Sequence, residues 1–374
     1  MESVSDIQRI VMPKWGLSMQ SGKVVEWLVT EGDTVHRGDE LLEIETEKSA
    51  GPVEAIQEGL LRRIVAQPGE DIPVGGTVAL LAPADVPEAD IDAAAEEARA
   101  QIAAGVVDDV GGPMVVTVEV AGRTLSSTVV GDGDDVVVLV HGYGGDKGSW
   151  QFVQEPIATG RRVYALDLPG HGSSEKDVGD GSLDTMAAAV LGFLDQVDAE
   201  RAHLVGHSLG GAVVVAAAAM APERVRSLTL LAPAGFGSRP NVGYLRGFQA
   251  AESRRDLKPV LGDLFADEKY VTRQLVEDLL RYKRIDGVDK ALTVLLDTLL
   301  TGDDQAIDTA GPLGSLDVPT VIVWGSDDRI LPPPERSAVE GVATLTIVPG
   351  VGHMAHVEQP DAVVAAIEEA IASS

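Results

Sequence analysis

An internal repeat constrains the N-terminal 82 residues more strongly than any other feature of the chain. Glycines and apolar residues of segment 22–44 recur 37 positions later in segment 59–81. Each copy reads strand, turn, short strand, turn, strand, and neither is large enough to bury its apolar face alone. The two copies are therefore expected to close on each other as an all-β domain, a flattened barrel or sandwich. The repeated glycines are Gly22 with Gly59, Gly32 with Gly69, and Gly38 with Gly75.

A lysine lies between the two copies. The run Glu45-Thr46-Glu47-Lys48-Ser49-Ala50 is expected to be the tip of a hairpin, with Lys48 projecting from an exposed turn. Position alone indicates no more than an ordinary solvated lysine.

The region around this lysine resembles the lipoyl domains of 2-oxo acid dehydrogenase complexes, over about residues 5–82. In that family a Glu-Thr-Asp-Lys-Ala-like tip presents the lysine that receives lipoate, and here the tip reads Glu-Thr-Glu-Lys-Ser. Biotin carriers share the fold but have Met on both sides of their lysine, whereas the neighbours here are Glu47 and Ser49. The resemblance implies covalent lipoate on Lys48.

Residues 83–112 are rich in Ala, acidic residues and Pro. We expect a linker, helical in part from Ile91 to Ala104 because Ala and Glu favour helix, that tethers the first domain. The pattern of a small subunit-binding domain, common at this place in multi-enzyme acyltransferases, is not found.

Strands and helices alternate in the third segment, residues 113–374. This alternation predicts a mainly parallel sheet with helices on both faces. A helical, amphipathic insertion at about 236–310 breaks the pattern and is expected to form a cap over the site. Strands are expected at 115–120, 125–130, 136–140, 163–166, 202–205, 228–231, 320–323 and 344–348, and the main helices at 183–197, at 209–220 and from 361 onwards.

The strongest catalytic motif is Gly206-His207-Ser208-Leu209-Gly210. A Gly-x-Ser-x-Gly run alone is weakly specific, but here a strand precedes it and an Ala-rich helix follows. That context predicts a sharp strand–turn–helix elbow that exposes the Ser208 hydroxyl as a nucleophile.

A serine nucleophile needs a base and a group that orients the base. Two acids, Asp327 and Asp328, follow one predicted strand, and two histidines, His353 and His356, follow the next. Both pairs lie in loops at the carboxyl ends of strands, where the site of such a sheet belongs. The residue pattern alone leaves the choice within each pair open.

Residues 115–372 resemble the α/β-hydrolases, and this resemblance selects between the candidates. The family's W-G-x-x-D-x-I-x-P motif implies that Asp328 is the acid, and its G-x-G-H motif implies that His353 is the base. The resemblance also implies that the backbone amides of Tyr143 and Leu209 bind the oxyanion. His207 is expected to pack or hydrogen-bond locally, and His171, in Asp-Leu-Pro-Gly-His-Gly, to be structural.

Composition excludes several classes of function. The formal net charge of −30 disfavours nucleic acid and anionic membranes as partners. The chain has no cysteine, so neither disulfides nor protein thiols contribute chemistry. No signal-peptide pattern or membrane span is found, and the chain is expected to be cytoplasmic. No metal ligands are assigned.

The two domains together suggest a thioester as their shared substrate. If coenzyme A is the second nucleophile, the chain is an acyltransferase, and the arrangement resembles the dihydrolipoyllysine-residue acetyltransferase components of acetoin dehydrogenase complexes. That resemblance implies two partners, a thiamine-diphosphate-dependent dehydrogenase component and dihydrolipoamide dehydrogenase, and an oligomer is possible in such a complex.

None of the seven histidines begins the His-x-x-x-Asp-Gly signature of the usual acyltransferase cores. Two alternatives remain open at this point: a serine hydrolase or thioesterase that uses water, and a carrier whose hydrolase domain only docks.

Overall fold

The computed structural model describes residues 7–13, 21–45, 50–55, 57–104, 113–236, 239–339 and 341–374. The chain divides into two compact units between Pro113 and Met114.

Unit 1 contains two four-stranded antiparallel sheets, as expected for an all-β lipoyl-type domain. Their strand orders are β1-β8-β6-β3 and β5-β4-β2-β7, with a shared apolar core. The strands are β1 Gln8–Val11, β2 Ser21–Trp27, β3 Thr34–Val35, β4 Glu40–Glu45, β5 Ala50–Glu54, β6 Gly59–Ile64, β7 Asp71–Pro73 and β8 Thr77–Leu81.

The sequence repeat is visible in this topology. Strands β2–β4 form one copy and β6–β8 the other, and each copy gives its long strands to one sheet and its short middle strand to the other. Gly32 and Gly69 have φ angles of 98° and 92°, and Gly38 and Gly75 have 85° and 82°. The left-handed turns that these angles require explain why glycine recurs at these positions.

Strands β4 and β5 pair antiparallel, with Glu45 opposite Ala50. Lys48, the predicted attachment site, belongs to residues 46–49 and lies outside the described residues.

The segment expected to be a tether is structured over much of its length. Helix α1, Glu88–Ala104, packs on unit 1, where its buried residues Ile91, Ala95 and Ala98 join a core cluster with Leu80 of β8. Arg63 adds an ion pair of 2.7 Å with Asp92. This apolar face of α1 is hard to recognise in the sequence, because two of its three buried residues are alanines, which contrast little with the acidic face.

Unit 2 is built on an eight-stranded sheet of order β18-β17-β14-β13-β11-β12-β10-β9, in which the six strands from β18 to β12 run parallel. Its strands are β9 Met114–Val120, β10 Arg123–Val130, β11 Asp135–Val140, β12 Arg161–Leu166, β13 Ala202–His207, β14 Val225–Leu231, β17 Thr320–Gly325 and β18 Thr344–Val348, and β15 Leu300–Thr301 with β16 Asp304–Gln305 forms a separate hairpin.

Helices cover both faces of this sheet, which confirms the α/β-hydrolase fold class. Along β11, Val136, Val138 and Val140 enter the core cluster that contains helices α2 and α3, and the alternate residues Val137 and Leu139 enter the one that contains α10. The helices of unit 2 are α2 Leu183–Gln196, α3 Leu209–Met220, α4 Val242–Ala250, α5 Arg254–Leu261, α6 Arg273–Lys283, α7 Val288–Leu299, α8 Ala310–Leu313, α9 Ala355–Glu358 and α10 Pro360–Ala372.

The insertion between β14 and β17 holds helices α4–α8 and the β15–β16 hairpin, so the predicted cap is helical. Among the described residues, no helix is both long and apolar enough to cross a membrane.

Candidate active site

Ser208 lies on a strained bend between β13, which ends at His207, and α3, which begins at Leu209. Its φ and ψ angles are 51° and −115°, a left-handed conformation that side chains other than glycine rarely adopt. The two flanking glycines are needed for space. A Cβ on Gly206 would lie 2.4 Å from the carbonyl oxygen of Gly210, and one on Gly210 would lie 2.3 Å from that of Val140. The Gly-x-Ser-x-Gly spacing is therefore a packing requirement of the elbow.

An acid and a histidine meet at the carboxyl ends of β17 and β18. The Nδ1–H of His353 donates to Oδ2 of Asp328 at 2.7 Å. The other oxygen of Asp328 accepts the backbone N–H groups of Ile330 and Leu331 at 2.8 and 2.9 Å. Both side chains are buried. Because Nδ1 holds the proton, Nε2 of the neutral imidazole is the nitrogen that can accept one.

The serine and this histidine are linked through His207. The Nε2–H of His207 donates to the carbonyl oxygen of His353 at 3.0 Å, and the two rings are 4.6 Å apart. No hydrogen bond between Ser208 and His353 themselves is present among the described residues. Such bonds are often long in free enzymes and shorten only when substrate is bound.

The two alternative candidates lie elsewhere. Asp327 is exposed and accepts from the hydroxyl of Ser326 at 2.9 Å. His356 is fully buried between Trp150 and His207, with ring centroids 4.6 Å from each. Within the part of the chain that the structure describes, neither ring nitrogen of His356 has a hydrogen-bond partner. The structure thus pairs Asp328 with His353 and leaves Asp327 and His356 apart.

The loop after β11 passes beside the serine. A Cβ on Gly142 would lie 3.0 Å from Cβ of Ser208. The N–H of Gly144 is already taken, since it donates to Nε2 of His171 at 3.1 Å. The N–H groups of Tyr143 and Leu209 donate to no other described group. These two amides are therefore the available candidates for an oxyanion hole.

Two buried histidines support this loop: His171, which was expected to be structural, and His141, for which no such role was predicted. His141 accepts the N–H of Leu168 on Nε2 at 3.0 Å and donates from Nδ1 to the carbonyl of Gly142. His171 donates from Nδ1 to the carbonyl of Pro169 while its Nε2 holds Gly144. Both contacts with backbone N–H groups require a neutral ring whose Nε2 is free of a proton.

Burial favours the neutral form of five histidines of this unit. Loss of solvation lowers the pKa of His141, His171, His203 and His207, and it lowers that of His356 to about 3. In the unfolded chain each would have a pKa of about 6.5.

Stability is therefore expected to fall with acidity. Below about pH 6.5 the unfolded chain binds protons that the folded rings do not, so the free energy of unfolding is greatest above that pH and decreases as pH falls, by up to about 1.4 kcal/mol per pH unit for each histidine. Urea unfolding of the protein at pH 7.5, 6.5 and 5.5 measures this slope.

The variant His356→Phe removes one of these titrating groups but keeps a ring between Trp150 and His207. We expect its slope below pH 6.5 to be shallower than that of the wild type, by at most about 1.4 kcal/mol per pH unit. The matched control is Trp150→Phe, which alters the same ring packing but removes no titrating group and should leave the slope unchanged. Equal slopes for His356→Phe and wild type would contradict the assignment.

Comparison with known proteins covers both units. A family model described as α/β hydrolase fold matches residues 135–360, and one described as biotin-requiring enzyme matches residues 8–81. The dihydrolipoyllysine-residue acetyltransferase component of the acetoin cleaving system from Pseudomonas putida is 45% identical over 363 residues, which cover 96% of this chain and 97% of the relative. The chain belongs to this family. The corresponding component from Cupriavidus necator is 43% identical, with 94% and 93% covered.

The hydrolase unit of this acetyltransferase-component family member has the same fold as several solved structures. A meta-cleavage product hydrolase from Pseudomonas fluorescens IP01 has a TM-score of 0.62 at 22% identity, covering 69% of this chain and 97% of its own. A 2-hydroxy-6-oxo-6-phenylhexa-2,4-dienoate hydrolase from Rhodococcus has a TM-score of 0.61 at 23% identity, with 70% and 100% covered. At these identities the likeness concerns the fold alone.

Proposed function

We propose that the chain is the acetyltransferase component of an acetoin dehydrogenase-type complex, which moves an acetyl group from a lipoyl arm on Lys48 to coenzyme A. One observation carries the proposal: a single chain joins a lipoyl-type unit to a hydrolase-type unit, and it is similar over almost its whole length to acetyltransferase components.

The surroundings of Lys48 fit a covalent lipoyl group. Strands β4 and β5 pair up to Glu45 and Ala50, so only four residues, Lys48 among them, connect two paired strands. We propose that the lipoyl arm is attached at this connection. Lys48 would hold lipoate through an amide, and the reduced dithiol supplies an acyl thioester.

The first half of the proposed reaction transfers the acetyl group to the protein. Oγ of Ser208 attacks the thioester carbonyl carbon while Nε2 of His353 takes the serine proton. Asp328 holds Nδ1–H and stabilises the imidazolium that forms, and the amides of Tyr143 and Leu209 bind the developing oxyanion. The C–S bond then breaks, His353 gives its proton to the leaving thiolate, and acetyl-Ser208 remains.

The second half is the same chemistry with another thiol. His353 takes the proton of the coenzyme A thiol, whose sulfur attacks the carbonyl carbon of acetyl-Ser208. The ester C–O bond breaks and His353 returns the proton to Oγ of Ser208. No electrons are gained or lost, so the two steps need no redox partner of their own.

The proposed cycle requires two further enzymes. One must load the acetyl group, which we assign to a thiamine-diphosphate-dependent dehydrogenase component. Transfer to coenzyme A leaves a dithiol on the arm, so the second enzyme must oxidise this dithiol. We assign that role to dihydrolipoamide dehydrogenase. The protein itself, which contains no cysteine, supplies no thiol for this oxidation.

Product analysis separates the proposed transferase from the alternatives. Acetyl-dihydrolipoamide is supplied with and without coenzyme A, and acetyl-CoA and acetate are measured. We expect acetyl-CoA as the main product when coenzyme A is present. Acetate formed at the same rate in both reactions would identify a hydrolase or thioesterase. Absence of both products, with Ser208→Ala identical to wild type, would identify a carrier or docking protein.

A further inference from the structure

A buried carboxylate outside the proposed triad joins the histidine loop to the cap. Glu358 is 7% exposed. One of its oxygens accepts the backbone N–H of Gly352 at 2.9 Å, and the other accepts that of Ala266 at 2.8 Å. Gly352 directly precedes His353, and Ala266 follows helix α5 in the cap insertion. Glu358 therefore bridges the residue before the proposed base and a separate segment of the fold.

Two more contacts strengthen this junction. The N–H of His353 donates to the carbonyl oxygen of Leu264 in the cap at 2.9 Å, and the hydroxyl of Tyr270 donates to the carbonyl of Glu358 at 3.4 Å. The carbonyl of His353 accepts from His207, the neighbour of the serine. The backbone of His353 is thus held by the cap on one side and by the elbow on the other.

The loop of the proposed acid is tied to the cap as well. Asn241, at the start of helix α4, donates its backbone N–H to the carbonyl of Ile330 at 2.8 Å and its side-chain amide to that of Arg329 at 3.2 Å. Ile330 in turn donates its N–H to Asp328. The positions of acid and base are therefore both coupled to the cap.

The bridge needs a carboxylate in particular. Two N–H donors converge on Glu358, and a carboxylate accepts both because each of its oxygens is an acceptor. Glycine at 352 is also explained, since a Cβ there would lie 2.6 Å from the amide nitrogen of Ala266 and 2.9 Å from the carboxylate. The Gly-His pair thus fits a backbone that passes closely against Glu358.

We propose that Glu358 is a positioning residue, which fixes His353 in reach of Ser208 by holding Gly352 against the cap. The proposal rests on the proposed function in so far as His353 is the base of that reaction. Glu358 does not touch the reacting atoms and acts through His353.

The test replaces Glu358 with glutamine, which keeps the shape but turns one acceptor into an NH2 group that faces an N–H donor. A displacement of about 1 Å at a reacting group costs on the order of 100-fold in rate. We expect kcat for acetyl transfer to fall by about 10- to 100-fold, with KM for coenzyme A and acetyl-dihydrolipoamide unchanged. The acylation burst with p-nitrophenyl acetate should slow by the same factor.

Glu368→Gln is the matched control. Glu368, on helix α10, is also a carboxylate with both oxygens hydrogen-bonded. Both oxygens accept N–H groups of the Arg161 side chain, which belongs to strand β12. Its replacement removes the same charge and a comparable pair of contacts without touching the His353 loop. We expect wild-type kcat for this variant at a temperature where circular dichroism shows both variants folded.

A spectroscopic signal separates positioning from simple loss of stability. The proton between Nδ1 of His353 and Asp328 should give a downfield proton resonance in the wild type and in Glu368→Gln, and a shifted or broadened one in Glu358→Gln. If Glu358→Gln does not fold, Glu358→Asp keeps the charge but is too short to reach both N–H groups, and the same loss of kcat is expected.

Wild-type kcat and burst rate in a folded Glu358 variant would overturn the proposal, as would an equal loss in Glu368→Gln. The ester burst reports on Ser208 and His353 without coenzyme A. The two proposals can therefore fail separately. If the wild-type protein makes no acetyl-CoA, the proposed transferase function is refuted. If the burst of Glu358→Gln is still slower than that of the wild type, the positioning role is retained.

Discussion

Replacing Ser208 with alanine is expected to lower kcat for acetyl transfer to coenzyme A by at least about 10³-fold. The alanine variant keeps the elbow but has no atom that can form the acyl intermediate. The measurement is acetyl-CoA formation from acetyl-dihydrolipoamide under saturating coenzyme A. A large loss follows because the proposed route has two chemical steps and both pass through the Oγ of Ser208.

The control for this variant is Ser315→Ala, which removes an exposed hydroxyl on the same unit. It should leave the rate unchanged, and both variants should accept lipoate normally. A Ser208→Ala enzyme that retains more than about a tenth of wild-type kcat would show that the acetyl group reaches coenzyme A without an acyl-serine.

Replacing Lys48 with arginine is expected to abolish lipoate attachment and, with it, all acetyl transfer that starts from the chain's own arm. Arginine keeps the positive charge but has no nucleophilic amine for the amide bond. Intact mass after expression with lipoate should lack the lipoyl increment. Transfer from free acetyl-dihydrolipoamide should stay at the wild-type rate, because that substrate bypasses the arm.

Lys23→Arg is the matched control on the same unit, since Lys23 is exposed on strand β2 opposite Glu45. It should be lipoylated fully. Lipoate attached to the Lys48→Arg protein, or attachment lost in Lys23→Arg, would place the modification on another lysine.

Much of the fold could be predicted because its signals are local in the sequence. The glycines of the repeat correspond to left-handed turns, and the alternation of apolar strands with amphipathic helices corresponds to the parallel sheet. Helix α1 could not be placed on unit 1 in the same way. Its buried face depends on Ile91 and two alanines, and only the three-dimensional surface of Leu80 and its neighbours shows that so small a stripe is enough.

The candidate site was predictable to the level of loops but not of individual contacts. Asp327 and Asp328 are adjacent, and residue pattern alone does not choose between them. The choice depends on the backbone after Asp328, which turns the N–H groups of Ile330 and Leu331 onto its carboxylate. Family resemblance had favoured Asp328, and the hydrogen bond to His353 agrees with that preference.

The contacts of the supporting residues could not be predicted from the sequence, although His171 was expected to be structural. His171 and Glu358 make their decisive contacts with backbone N–H groups of residues far away in the chain, Gly144 and Ala266. A backbone group carries no side-chain signature, so nothing in the sequence indicates which distant amide a buried histidine or glutamate will hold. Such residues become visible only when the loops are seen in contact.

Trapping of the acyl intermediate tests the central claim most directly. The protein is mixed with acetyl-dihydrolipoamide in the absence of coenzyme A, quenched in acid, and digested for mass spectrometry. We predict one acetyl group on the peptide that contains Ser208, and its transfer to acetyl-CoA when coenzyme A is added before the quench. Rapid formation of acetyl-CoA with no acetylated Ser208 at any time point would contradict the account.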